Sequence, residues 1–115
     1  MTAIAIVQGC CFLTAGIWPL LRIESFQKVT GRKTDLWLVK TVAVLVVVIG
    51  AGLILAGITQ RFAPGLILIG MASALALMSV DLVYAGRRTI SLIYLLDAPV
   101  EAAFLVWWTV ALLVP

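Results

Sequence analysis

Between Lys40 and Arg61 the chain reads TVAVLVVVIGAGLILAGITQ, residues 41–60, twenty positions without a charge. A helix needs about 20 residues, at about 1.5 Å each, to cross the ~30 Å hydrocarbon core of a bilayer. This stretch has that length and offers no polar face to water. Its apolar residues do not alternate with polar ones as in a barrel strand, so a spanning helix is the only structure that satisfies its backbone in lipid.

Working outward, nineteen uncharged residues separate Arg61 from Asp81, and no charge occurs from Thr2 to Leu21. A fourth apolar segment, about 90–114, is interrupted by Asp97, Pro99 and Glu101. The expected fold is therefore all-α: a single domain over 1–115, forming an integral membrane antiparallel four-helix bundle. Its spans are about 2–21, 36–58, 64–85 and 90–114, with a connection at 22–35. The composition agrees, because 64% hydrophobic and 11% charged residues are too few polar groups to coat a soluble domain of 115 residues. The first segment lacks a basic leader and a small-residue cleavage site, so it is read as a retained anchor.

Orientation follows from charge. Arg22, Lys28, Arg32, Lys33 and Lys40 fall between the first two spans, and Arg87 and Arg88 between the last two. Four spans place those seven on one side and Arg61 alone on the other. Basic residues stay cytoplasmic, so both termini and the short Gln60–Pro64 turn are expected outside. The same imbalance argues against insertion in both orientations. Trp18, Trp37, Trp107 and Trp108 are expected in interfacial belts. In the connection, Ile23, Phe26 and Val29 recur every three residues against Glu24, Gln27 and Lys28. That pattern predicts a short surface helix or a continuation of the first span, ended at Thr30-Gly31, with Thr34 or Asp35 capping the second.

Lipid tails are as apolar as leucine, so close packing of small residues holds such helices together. Pairs four residues apart mark the expected contact faces: Ala5 with Gly9, Cys11 with Ala15, Gly52 with Ala56, Gly70 with Ala74, and Ala72 with Ala76. The brevity of Arg61–Pro64 predicts a hairpin of the second and third spans.

Ionisable groups at membrane depth cost several kcal/mol and point to function. Counted at ~1.5 Å per residue from the nearest basic anchor, Lys40 lies roughly 10 Å deep, Asp81 roughly 9 Å, Asp97 roughly 13 Å and Glu101 roughly 20 Å. Gln8, roughly 21 Å from Arg22, falls level with Glu101. Tyr94, Asp97, Glu101, Phe104 and Trp108 share one face of the fourth helix, which should turn inward. Gln8, Lys40, Asp81, Tyr94, Asp97 and Glu101 are thus the candidate ligand- or proton-binding residues, with Lys40 the counter-charge and Gln8 a hydrogen-bond partner. The fourth helix is expected to be continuous from Ile90 and kinked at Pro99. The alternative starts it at Ala98 with Asp97 as N-cap and Glu101 near the dipole's positive end. Asp81 has a plainer reading as well, as the partner of Arg87 or Arg88.

Other chemistry is thinly represented. There is no histidine, the commonest metal ligand and general base. No basic stripe with interleaved aromatics suggests nucleic acid. Cys10 and Cys11 are adjacent and cannot form an ordinary disulfide. Vicinal cysteines in a first span resemble those of mercury-resistance transporters, but Phe12-Leu13-Thr14 follows here in place of Gly-Pro. Packing is the better reading of these two, and no metal or cofactor is expected.

The stretches Phe26–Asp35, Asp81–Tyr84 and Tyr94–Ala98 resemble small four-span bacterial membrane proteins of the DoxX-like type. The resemblance implies a bacterial inner membrane and carries no assigned reaction. From the sequence, the first expectation is a non-enzymatic structural or accessory protein whose partners are lipid and a second copy or another membrane protein. A small carrier or ligand-binding protein with a cytoplasm-facing polar pocket is the alternative, followed by a membrane enzyme acting on lipid or quinone.

Overall fold

The structure, a computed structural model, describes residues 1–30, 36–87 and 92–113. Every extended element among them is helical: α1 (Thr2–Leu21), α2 (Ile23–Thr30), α3 (Leu36–Thr59), α4 (Pro64–Val80) and α5 (Asp97–Leu113). A π-helical turn, Asp81–Ala85, prolongs α4, and a 3-10 turn, Leu92–Leu96, leads into α5. Four of these helical stretches are long and apolar enough to cross a membrane: Thr2–Leu21, Leu36–Thr59, Pro64–Ala85 and Tyr94–Leu113. The expected helix stop at Gly31, the caps at Thr34 or Asp35, and Arg32, Lys33 and Arg88 lie outside the described residues.

The closest pairing is α1 against α3, antiparallel, along small residues seven positions apart. Gly9 meets Gly50, Gly16 meets Ala43, and Gly57 lies over Thr2 and Ile6. A Cβ placed on Gly9 would stand 2.6 Å from Ile54 Cγ1 and 2.7 Å from Gly50 O. One on Gly16 would stand 2.6 Å from Ala43 O. Backbone therefore rests on backbone, and at Gly9, Gly16 and Gly50 only glycine permits it.

This differs from the four-residue pairs expected. Ala5, Gly9, Ala56, Gly70 and Ala74 are buried, but Cys11, Ala15, Ala72 and Ala76 are exposed, and Gly52 has nothing within 4 Å. The expected hairpin of the second and third spans is also revised. Their turn is short, yet α3 packs on α1 while α4 packs on α5. A tight turn fixes where two helices begin, and the seam of small residues decides which neighbour each one touches.

That turn is closed locally. Gln60 takes a left-handed conformation, φ 60°. The Arg61 N–H then reaches back to Ala56 O at 3.3 Å, as in a Schellman stop. Glycine is usual at this position. Here the Gln60 side chain compensates, donating to Gly57 O at 2.9 Å and accepting from the Thr2 hydroxyl at 2.6 Å. The second bond ties the start of α1 to the end of α3. Pro64 then opens α4, where its missing N–H costs nothing.

Outward faces are apolar, with Leu45, Val48, Leu55 and Ile58 on α3 and Leu68 and Leu75 on α4 exposed. Hydroxyls on those faces turn inward: Thr41, Thr59, Ser79 and Thr109 each donate to the carbonyl four residues earlier. Such back-bonding leaves no donor needing water. At the opposite end from the turn, Arg22 (φ −140°) breaks the chain between α1 and α2, so the connection begins with a separate helix. Trp18 and Phe26 fasten α2 to α1, edge to face at 5.3 Å, and the Trp18 Nε1–H donates to Ser25 Oγ at 3.3 Å. This end also carries the exposed Arg22, Lys28, Lys40 and Arg87, and is called the basic end below.

Candidate functional site

Two features occupy the interior, and they differ in chemistry. The first, toward the turn, is a closed polar relay. Gln8 is fully buried; its Oε1 accepts from Trp108 Nε1–H at 2.6 Å, and its Nε2 donates to Gly70 O at 2.9 Å. One amide thus joins α1, α4 and α5. Gly70 is required beneath the indole, since a Cβ there would stand 2.9 Å from Trp108 Cζ2. Two expectations change accordingly. Trp108 is a core residue with no exposure and does not belong to an interfacial belt. Gln8 serves Trp108 and Gly70, and Glu101 Oε2 is left without a partner.

The second feature lies between this relay and the basic end. Phe12 and Phe104, one turn from Gln8 and Trp108, meet edge to face at 6.4 Å and floor a cavity of about 570 Å³. Apolar side chains of α3, among them Leu38, Val42 and Val46, form one wall; Pro19, Trp18 and Phe26 close the basic end. Into this apolar chamber come three carboxylates, Asp81, Asp97 and Glu101.

Each acid is placed by an irregularity of its helix. Along α4 the buried positions Gly70, Ala74 and Asp81 form one stripe, and the π-turn starting at Asp81 keeps Ala85 on it. A π-turn is a rare local widening that recurs at functional sites. Asp97 opens α5, with Pro99 two residues later. Proline has no N–H to give the Leu95 carbonyl, so the α-helical ladder cannot run back across it. The chain is 3-10 over Leu92–Leu96 and α-helical from Asp97, so the expected continuous helix changes type there, two residues before Pro99; its expected start at Ile90 lies outside the described residues. An acid in the first turn of α5 also suits the helix dipole. The face expected to turn inward does so: Glu101, Phe104 and Trp108 are buried, and Tyr94 and Asp97 half-buried.

Asp81 and Glu101 are only 5% and 3% exposed, and Asp81 Oδ2 and Glu101 Oε2 have no hydrogen-bond partner. The Asp81 and Asp97 carboxyls lie within hydrogen-bonding reach of each other. No Lys or Arg lines the cavity among the described residues. Lys40, expected as the counter-charge, is exposed and does not line it, and the same holds for Arg87, one of the two plainer partners suggested for Asp81. Burying a charge costs several kcal/mol unless an opposite charge and hydrogen bonds answer it. The chamber is therefore incomplete as a structural element.

Of the six residues singled out from sequence, Asp81, Tyr94, Asp97 and Glu101 come together around the cavity, while Gln8 sits beneath its floor and Lys40 outside it. Cys11 also lines it; Cys10 does not, and both thiols are free. The apolar walls carried no sequence signal, since valine and leucine fill every span alike. Trp18 did have a signal that was read otherwise: a tryptophan five residues before the start of an amphipathic helix can pack on that helix instead of on lipid. Comparison with family models, curated proteins and solved structures gives no match for this chain.

Proposed function

We propose that this chain is a small carrier or ligand-binding protein of the bacterial inner membrane, with the acidic chamber as its binding site. In this reading the four long helices cross the bilayer, the termini and the Gln60–Pro64 turn face outward, and the basic end lies in the cytoplasm. The chamber then lies in the cytoplasmic half of the membrane.

The observation that carries the proposal is the pair of orphaned oxygens, Asp81 Oδ2 and Glu101 Oε2, buried in a 570 Å³ cavity with no basic residue in its described lining. A purely structural or accessory role explains it less well. Polar glue between helices is already supplied by the Gln8 relay, whose hydrogen bonds are made. Unanswered carboxylates weaken a bundle, so their presence is best explained by something that binds them. A cavity of this size falls within the ~300–1,000 Å³ usual for small-molecule sites. An enzyme reading finds less support, since no histidine and no nucleophile–base pair accompanies the acids.

Dicyclohexylcarbodiimide, which partitions into apolar surroundings and condenses with carboxyl groups, tests the site directly. Peptide mass spectrometry is expected to find Glu101 modified in the folded chain and less modified in Val42→Trp, where an indole narrows the chamber. Modification of the unfolded chain but not of the folded one would overturn the reading.

A further inference from the structure

We infer that the ligand of this chamber is a hydrophobic organic cation, such as a quaternary ammonium, a phosphonium or a protonated amine carrying aromatic or alkyl groups. The inference rests on the binding-site reading above and adds the chemical class of what is bound.

Sign comes first. Asp81, Asp97 and Glu101 all face one cavity, two of their oxygens are buried without partners, and no cationic side chain lines it among the described residues. An anionic ligand would meet no opposite charge in the described lining, and any of the three acids that ionises would repel it in a medium of low dielectric. A neutral ligand would leave the acids without a partner. A cation favours their ionised form and supplies the opposite charge that the described lining lacks.

Charge density comes next. A small metal ion needs several oxygens converging at 2.0–2.6 Å. No group of three His, Cys, Asp or Glu among the described residues is arranged to hold one. The space is also far larger than an ion, and its lining is almost wholly apolar apart from the three acids, Tyr94 and Cys11. A bare inorganic ion would lose its hydration shell to such walls without replacement. An organic cation brings its own apolar surface, for which Val42, Val46 and Leu77 are suitable contacts.

Aromatic residues complete the match. Phe12, Trp18, Phe26, Tyr94 and Phe104 all contribute to the lining. Rings around a site attract cations through their negative faces, and quaternary ammonium groups are the usual beneficiaries. Carboxyl groups and rings together in one lining distinguish this chamber from a lipid-tail groove, which needs neither.

Tetraphenylphosphonium and tetraphenylborate have the same shape and opposite charge, and they separate the alternatives. Equilibrium dialysis of the full-length chain in dodecyl maltoside, with empty micelles as blank, is expected to show saturable binding of the phosphonium at one per chain. The borate should bind at least roughly tenfold more weakly, and Glu101→Gln and Asp81→Asn should each weaken the phosphonium by roughly tenfold or more. Val42→Trp should weaken binding by narrowing the space. If the borate saturates the wild-type chain as tightly as the phosphonium and Val42→Trp weakens both, the chamber binds but the cation class is wrong. If neither probe saturates, the class and the binding-site reading fall together. The wild-type comparison decides the class even where a carboxylate variant does not fold.

Discussion

Gly50→Ala should separate α1 from α3, and the structure sets the size of the effect. The new Cβ would stand 2.8 Å from Gly9 O and 2.9 Å from Leu13 N, both backbone atoms that cannot rotate aside. Against the 3.4 Å of ordinary contact that is a deficit of about 0.6 Å, and a gap of 0.5–1 Å forfeits a quarter to a half of the dispersion energy of the atoms it parts. Because Gly9, Gly16 and Gly57 press on the same seam, the loss spreads beyond position 50. Overpacking of this kind costs about 1–3 kcal/mol, partly offset by up to ~1 kcal/mol from alanine's higher helix propensity. A net loss of about 1 kcal/mol follows. Gly52→Ala is the control: it lies two residues away on the same helix with nothing within 4 Å, so only the propensity gain remains, and stability should rise by up to ~1 kcal/mol. Equilibrium unfolding in mixed dodecyl maltoside and dodecyl sulfate micelles, followed by tryptophan fluorescence, measures both. If the two variants lie within ~0.5 kcal/mol of each other, α1 and α3 do not pack along this seam.

Other expectations address the interior and the orientation. Gln8→Leu and Trp108→Phe should be coupled by about 1 kcal/mol in a double-mutant cycle, since the 2.6 Å bond between them is lost in either; simple additivity would remove the relay. Glu101→Gln should leave thermal stability within about 1 kcal/mol, because Glu101 Oε2 makes no hydrogen bond that the substitution would remove. A marked loss of stability would instead make Glu101 a structural residue. With both native cysteines replaced by serine, a membrane-impermeant maleimide added to intact cells should label Ala63→Cys and spare Lys28→Cys. The reverse pattern would invert the proposed topology.

Much of the fold was legible because a bilayer reduces the question to length and charge. Runs of about twenty apolar residues between Lys40, Arg61 and Asp81 mark helices whatever their packing. The acids were legible too, since a carboxylate in such a run stands out. Harder to read were the partners. Pro99 announced an irregularity in the fourth helix, but whether the chain bends or changes helix type there depends on what supports it, and the 3-10 turn rests on the π-turn after α4.

What the sequence by itself determined is the set of long apolar helices, their order and the positions of their polar residues. The tertiary structure decided which face of each helix meets another. It selected Gly9, Gly16, Gly50 and Gly57 as the seam while leaving Gly52 outside. It joined Gln8 to Trp108, 100 residues away, and turned Lys40 outward from the acids it was expected to balance. The physical reason is that a span is apolar on every side, toward lipid and toward its neighbours alike. The rotation of each helix about its axis is therefore invisible in hydropathy, and only the close fit of one backbone on another fixes it.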